Sequence, residues 1–342
     1  MTDPESDDEA AETRIFEEVD VATLLGEAHE TFEEVLGDET AVPLAVTSSP
    51  FAGREVVLDD ASERLDATRV RLDPTDDLAT DDDRLDGVAD ALDTGPVVVD
   101  DCQHLYHRTV GGFETIEAFL DLLARADVPV VTGWNRYAWR YLTAVRGLDR
   151  AFQHRFDVGP VATDRLGELL LSRYEEGPTF VSESTETGRP VTIQRREVGW
   201  GDHTVSVPVP SVTRPRGRRS PDETIDTRDV VFERLAAVSQ GNLGVASSLW
   251  EPLHGGEVRP SDVVAAGSDV DLDREEAFCL RIVLSKERVA RRELAAVLDA
   301  SPDRILDRLD REGLVTVREG LVHLDPAAVP TITDATEERR IQ

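Results

Sequence analysis

The sequence predicts an α/β protein built on a parallel sheet, followed by a helical region and a C-terminal unit of three helices and a hairpin. Between residues 43 and 132, short apolar segments alternate with longer segments of helical periodicity, which is typical of a sheet with helical crossovers. Two of the apolar segments end in polar side chains, at the strand ends where parallel sheets bind ligands. The 342 residues, 40% of them hydrophobic, suffice for more than one domain.

The chain divides into four predicted regions. The first is an acidic tail with a leading helix, and the second is the core sheet. The third is a helical region that contains an insert, and the fourth is the C-terminal unit. Their bounds are 1–40, 41–160, 161–265 with the insert at 177–219, and 270–330.

The first strand of the core leads into a turn with a recognisable spacing. Pro43 to Thr47 is apolar, and the segment from Ser48 to Glu55 precedes a helix. This segment aligns with G-x-x-x-x-G-K-S/T, with Gly53 at the second glycine and Arg54 at the lysine. Ser48 replaces the first glycine and Glu55 replaces the hydroxyl residue. An ordinary strand-to-helix turn is the alternative interpretation.

Two later strands end in polar residues. Pro96 to Val99 is short and apolar, as expected of a strand covered on both faces, and Asp100 and Asp101 follow it. Buried carboxylates are costly unless they are paired, so these acids indicate either a functional role or a solvated strand end. The strand Val128 to Thr132 leads into a turn that contains Asn135. In a parallel sheet the turn at Ser48, the aspartates and Asn135 would converge.

The insert of the helical region has the alternation of a β-hairpin. Val191 to Glu197 and His203 to Val209 alternate around a Gly-rich turn. From Gly188 to Arg219 there are seven arginines and two acids. Contact with nucleic-acid phosphates is one interpretation, and neutralisation of the protein's own acidic surface is the other. The arginines predicted to bind nucleic acid here are Arg214, Arg216, Arg218 and Arg219.

The C-terminal unit combines three helices with two short strands. The helices are predicted at 273–284, 288–298 and 301–312, and the strands at 313–317 and 321–324. Arg304 and Arg308 lie on one face of the third helix, accompanied by Asp303 and Asp307. Both DNA contact and protein contact fit this pattern, and both remain open.

The net charge of −33 is better explained by a high-salt habitat than by a basic binding partner. Lys286 is the only lysine, and the other basic residues are arginines. Excess carboxylate with little lysine is what a cytoplasm of molar salt favours, because salt screens the repulsion. Cys102 and Cys279 have no metal-type spacing and are predicted to be reduced core residues. With no apolar run of membrane-spanning length and no signal region, a cytoplasmic location is expected.

Several of these motifs resemble those of the P-loop ATPases. Four apolar residues followed by Asp100 and Asp101 resemble a Walker B motif, and Asn135 stands where the AAA+ and STAND-type ATPases carry sensor 1. The segment 241–246, Gly-Asn-Leu-Gly-Val-Ala, is similar to the start of a sensor 2 helix without its arginine. The C-terminal unit resembles a winged helix-turn-helix. Together these features resemble a haloarchaeal AAA+ or STAND-type ATPase with a degenerate nucleotide site.

The resemblance implies a fold, cofactors and site residues. The fold is a parallel P-loop NTPase-like sheet with a helical lid, which carries the hairpin insert, and a C-terminal winged helix. The implied cofactors are ATP and Mg²⁺, with Asp100 on the metal, Asp101 polarising the attacking water and Asn135 as a further catalytic residue. The implied phosphate-binding residues are Ser48, Ser49, Pro50, Gly53 and Arg54.

Three hypotheses follow for the function. The favoured one is a regulatory, DNA-associated protein whose ATPase core binds nucleotide weakly or not at all, because the lysine and the hydroxyl are lost. The second is an active Mg²⁺-dependent ATPase in which Arg54 contacts phosphate and Asp101 activates water. The third is a signalling adaptor whose winged helix contacts a protein. The partners expected for the chain are DNA, a protein partner or a second copy of the chain in a homo-oligomer.

Overall fold

We describe the protein from a computed structural model. The structure describes residues 15–38, 43–74, 82–174, 177–182 and 226–338, together with the backbone of 192–200 and 203–211. The acidic tail lies outside these residues. Within them, no helix is long and apolar enough to cross a membrane.

Five parallel strands form the central sheet, and helices connect most of them. Among the described residues, helices at 21–25 and 29–37 precede the sheet, where the sequence predicts a leading helical segment. The elements are α1 (Val21–Leu25), α2 (His29–Gly37), β1 (Leu44–Ser48), α3 (Arg54–Leu65), β2 (Thr68–Arg71), α4 (Asp86–Leu92), β3 (Val97–Asp100), α5 (Glu114–Leu123), β4 (Val130–Asn135), α6 (Arg136–Arg146) and β5 (His154–Asp157).

The strand order brings the predicted functional residues together. In the order β2-β3-β4-β1-β5, β4 lies between β3 and β1, and all pairs are parallel. The carboxyl ends of β1, β3 and β4 are therefore neighbours. This architecture confirms the predicted fold class, an α/β protein with a parallel P-loop NTPase-like sheet.

Both faces of the sheet are covered, which explains why its strands read as continuous apolar runs. Val98 and Val131 contribute to a core that extends through the helical region into the C-terminal unit. Val97 and Val99 face a second core on the opposite side. Cys102 lies in the second core and is a buried free thiol, and Cys279 is one in the first.

The strand β4 is longer than the sequence predicts. Gly133, Trp134 and Asn135 were expected to form a turn, but they continue the strand. Parallel pairing with β1 extends to the end of both strands, where Ser48 lies opposite Asn135. Tertiary pairing therefore overrides the weak local strand propensity of glycine and asparagine.

Within the described residues, the helical region contains three helices, with the hairpin between the first and the second. The elements are α7 (Thr163–Ser172), β6 (Thr179–Phe180), β7 (Thr192–Trp200), β8 (His203–Ser211), α8 (Thr227–Ser239), α9 (Leu243–Trp250) and β9 (Glu257–Val258). The strands β7 and β8 pair antiparallel. The helices α8 and α9 are separate because Gln240 and Gly241, which lie between them, both have positive φ.

Within the described residues, the C-terminal unit contains the predicted helices and hairpin together with one additional strand and one additional helix. The elements are α10 (Arg274–Lys286), β10 (Arg288–Ala290), α11 (Arg291–Leu298), α12 (Asp303–Arg311), β11 (Val315–Arg318), β12 (Leu321–Leu324) and α13 (Val329–Glu338). The strand β10 occupies the start of the predicted second helix and pairs with β12 in a sheet of order β10-β12-β11.

Candidate functional site

The turn between β1 and α3 is held in place from two sides. Gly53 has a φ of 90°, and a Cβ atom there would lie 2.9 Å from the ring of Phe16. On the other side, Asn242 Nδ2 donates to the carbonyl oxygen of Pro50 at 2.7 Å, and the N–H of Gly244 donates to that of Phe51 at 2.9 Å. The motif that resembles the start of a sensor 2 helix therefore packs directly on the turn.

Arg54, the first residue of α3, donates hydrogen bonds to other side chains from all three guanidinium nitrogens. Nε donates to Asp100 Oδ1 at 3.1 Å, and Nη2 donates to Asp101 Oδ1 at 2.7 Å. Nη1 contacts Ser48 Oγ at 3.3 Å and Glu287 Oε1 of the C-terminal unit at 3.4 Å. The side chain is only 7% exposed. The arginine at the position of the P-loop lysine thus lies among the strand ends.

Every carboxylate oxygen of Asp100 and Asp101 accepts a hydrogen bond. The second oxygen of Asp100, Oδ2, accepts from Arg69 at 3.0 Å. The second oxygen of Asp101, Oδ2, accepts from Arg71 at 2.9 Å and from Arg288 at 3.3 Å. Arginines from a neighbouring strand and from the C-terminal unit therefore complete the pairing that Arg54 begins. We call this set of side chains the strand-edge network.

Gly133 makes room for this network. A Cβ atom at this position of β4 would lie 2.6 Å from Asp100 Oδ1 and 3.2 Å from Arg54 Cδ. Both distances are shorter than ordinary van der Waals contact, so a larger residue would separate the ion pair. Glycine is thus required here because two side chains approach the backbone closely, and its φ is not in the left-handed region.

The charges of the network stabilise one another. Burial would raise the pKa of the Asp101 carboxyl, but the charges of Arg54 and Arg71 outweigh it and hold this pKa below its usual value. Burial would lower the pKa of Arg54, yet the carboxylates of Asp100 and Glu287 raise it above its usual value. Asp101 and Arg54 therefore stay ionised at neutral pH.

The side chains at the strand edge do not fit the Mg²⁺ site that the resemblance implies. Mg²⁺ needs carboxylate oxygens open to it, whereas those of Asp100 face Arg54 and Arg69. A cation would have to displace these guanidinium groups. The predicted catalytic roles of Asp101 and Asn135 remain predictions.

Asn135 connects the end of β4 to the C-terminal unit. Its Oδ1 caps α6 by accepting from the backbone N–H groups of Tyr137 and Ala138, at 2.8 and 3.3 Å. Its Nδ2 donates to the carbonyl oxygen of Leu284 and to Glu287 Oε1, both at 2.9 Å. The side chain in the sensor 1 position is thus occupied in holding two parts of the chain together.

A second buried ionic cluster lies at the same interface, and we call it the lysine cluster. Lys286 donates to the carbonyl oxygen of Tyr106 and lies 3.4 Å from Glu293, which is 3.1 Å from His107 Nδ1. Burial lowers the pKa of Lys286 to about 8. Burial would raise the pKa of Glu293, but Lys286 and His107 lower it to about 2. The C-terminal unit is therefore joined to the core by two buried sets of charges.

The residues predicted to bind nucleic acid lie in different environments. Arg304 is exposed on α12. Arg308 is engaged within the C-terminal unit, because it donates to Glu276 at 2.5 Å and to the carbonyl oxygen of Asp271 at 2.8 Å. Arg214, Arg216, Arg218 and Arg219 lie outside the described residues.

The sequence did not reveal most partners of the two aspartates. These partners are Arg69, Arg71, Gln103 and Arg288, together with Glu287 on Arg54. Arg69 and Arg71 are spaced two residues apart, which puts them on one side of β2, and this spacing was the available signal for them. The only lysine of the sequence, placed two residues after the apolar segment 282–284, was the available signal for the lysine cluster.

Comparisons with known proteins find solved structures with low sequence identity and low TM-scores. No protein-family model matches the chain, and no curated protein matches it. The RuvB Holliday junction branch migration motor of Thermotoga maritima has a TM-score of 0.39 and 11% identity, covering 96% of this chain and 99% of that chain. Cdc6p from Pyrobaculum aerophilum has a TM-score of 0.38 and 12% identity, with coverages of 96% and 98%. An ADP complex of Hsp104 from S. cerevisiae has a TM-score of 0.34 and 16% identity, over 47% of this chain and 25% of that one.

Proposed function

We propose that this chain is a regulatory, nucleic-acid-associated protein whose ATPase-like core serves as a scaffold and binds ATP weakly or not at all. The observation that carries the proposal is the position of Arg54, which donates to both Asp100 and Asp101. A nucleotide with Mg²⁺ would need these two carboxylates and the space beside them. Here a side chain of the protein supplies the positive charge instead.

The contacts of the C-terminal unit support the scaffold role of the core. Glu287 and Arg288 reach the strand-edge network, and Lys286 reaches the loop that follows β3. Removing one partner of a buried ion pair is strongly destabilising, because the other charge stays buried without compensation. Such pairs between the core and the C-terminal unit therefore hold the two in one arrangement. The strand edge thus has a structural use that needs no bound nucleotide.

The nucleic-acid part of the proposal is supported by the C-terminal unit and by composition. Its order of helix, strand, two helices and two strands fits a winged helix-turn-helix, in which α12 would be the recognition helix. Arg304 is exposed on α12, while Asp303 pairs with Arg291 and Asp310 accepts from the N–H of Val317. The arginines of the insert add positive charge.

A DNA titration tests the nucleic-acid part. We expect the full chain to bind a labelled DNA duplex, measured by fluorescence anisotropy over a series of KCl concentrations, with affinity falling as KCl rises. A variant with Arg214, Arg216, Arg218 and Arg219 replaced by glutamine is expected to bind at least about tenfold more weakly and with a shallower salt slope. Arg165→Gln, on α7, removes an exposed arginine and serves as the control. If the full chain binds no DNA at any KCl concentration, the result would favour the hypothesis of a signalling adaptor that contacts a protein.

A further inference from the structure

Three arginines that do not belong to the strand-edge network lie on α6 or contact its side chains. Tyr137, Arg140 and Tyr141 are spaced three and four residues apart, so they share a face of this helix. Arg281 of α10 lies against Tyr137, with Cζ 4.8 Å from the ring centroid. Arg108 lies over Tyr141 at 4.0 Å. Two tyrosine rings of α6 thus each hold a guanidinium group, and Arg140 lies between these tyrosines in sequence.

Arg281 has a buried donor without a partner. The residue is 7% exposed, and among the described residues its Nη1 atom has no hydrogen-bond acceptor. An unmade hydrogen bond on a buried charged group is costly, and a bound ion or water is its usual explanation. Burial lowers the pKa of the Arg281 guanidinium, and the positive charges of Arg140 and Arg108 lower it further.

The ion pair that the described residues show at this cluster is a long one, although the chain as a whole carries a net charge of −33. Glu337 of α13 lies 4.0 Å from Arg140, and its side chain is 44% exposed. An exposed pair at that distance contributes little. The strand-edge network, by contrast, pairs each of its aspartates with more than one arginine.

We propose that Arg108, Arg140 and Arg281 form a binding site for a phosphate-class oxyanion, which is either a free phosphate ion or a phosphate of a nucleic-acid backbone. Guanidinium groups match the oxygens of a tetrahedral oxyanion through paired N–H donors. Arg281 supplies the buried donor, and Arg140, whose side chain is 62% exposed, lies at the solvent side. The site does not depend on whether the core binds ATP.

The test is a titration of the full chain with inorganic phosphate at constant ionic strength, followed by ³¹P NMR or calorimetry. We expect saturable binding that becomes at least about tenfold weaker in Arg281→Gln and in Arg140→Gln, because each loses a charge-assisted hydrogen bond. Arg165→Gln is the control and is expected to bind as the wild type does. If Arg281→Gln fails to fold, the exposed Arg140→Gln decides. Absent binding, or equal affinity in Arg140→Gln and wild type, overturns the proposal.

The DNA duplex used above separates the two sources of phosphate. If Arg140→Gln weakens the binding of phosphate and of DNA, the site takes a backbone phosphate. If it weakens only the binding of phosphate, the site takes a free ion. Phosphate binding by a protein that never binds DNA would leave the anion site standing and would refute the nucleic-acid part of the proposed function.

Discussion

Replacing Arg54 by alanine is expected to lower the free energy of unfolding by about 3 to 5 kcal/mol, because the change removes the buried cation that Asp100 and Asp101 share. Arg54 contacts Asp100, Asp101 and Glu287 and is 7% exposed. The other arginines of the strand-edge network pair with the Oδ2 atoms of the two aspartates, whereas Arg54 contacts both Oδ1 atoms. Denaturant unfolding in molar KCl measures the effect, since buried pairs are screened much less than exposed ones.

The same helix provides the control for this experiment. Arg64 is exposed and pairs with Asp60 and Glu33, so Arg64→Ala is expected to cost at most about 1 kcal/mol. The double variant Arg54→Ala/Asp101→Asn is expected to lose less than the sum of its single changes, because the second change removes one uncompensated charge. Equal stability of Arg54→Ala and Arg64→Ala would show that the network is not a structural element.

Replacing Glu293 by glutamine is expected to cost about 3 kcal/mol at neutral pH, since Lys286 is then buried without its counter-ion. Thermal or denaturant unfolding of the full chain measures this. The exposed Glu312, changed to glutamine, gives the matched control and is expected to unfold as the wild type does. A Glu293→Gln variant as stable as the Glu312→Gln variant would contradict the role given to the lysine cluster.

The pH dependence of this difference follows from the pKa of Glu293. In the folded protein the pKa is about 2, below the ordinary value of 4.5. A depressed carboxyl pKa contributes stability that is present above the ordinary value and is lost as the pH falls through the folded value. The difference in stability between wild type and Glu293→Gln is therefore expected to be full above about pH 5 and to shrink toward pH 2. A difference that stays constant over this range would exclude Glu293 as its source.

The sheet and its polar edge could be predicted because their signals are local. The apolar run before Asp100 marks a strand by composition alone, and parallel topology then brings the strand ends together. The end of β4 could not be predicted in this way. Gly133 and Asn135 favour turns, and the pairing with Ser48 that makes them a strand comes from a distant segment.

The pairing of charges at the site could not be predicted for the same reason. Arg288 and Asp101 are 187 positions apart in sequence, and an acidic chain offers many carboxylates to each arginine. The sequence did align Arg54 with the lysine of the G-x-x-x-x-G-K-S/T pattern. It could not indicate that this arginine turns onto the two aspartates, because that contact depends on the space Gly133 leaves.

The central claim is that the strand edge is filled by its own charges and does not serve ATP. Equilibrium binding of ATP to the full chain in molar KCl, with and without Mg²⁺, tests it most directly, with Arg54→Ala measured in parallel. We predict no saturable binding by the wild type, or a dissociation constant above about 1 mM that Mg²⁺ does not improve. Tight, Mg²⁺-dependent binding that Arg54→Ala abolishes would contradict the claim and establish the strand edge as a working nucleotide site.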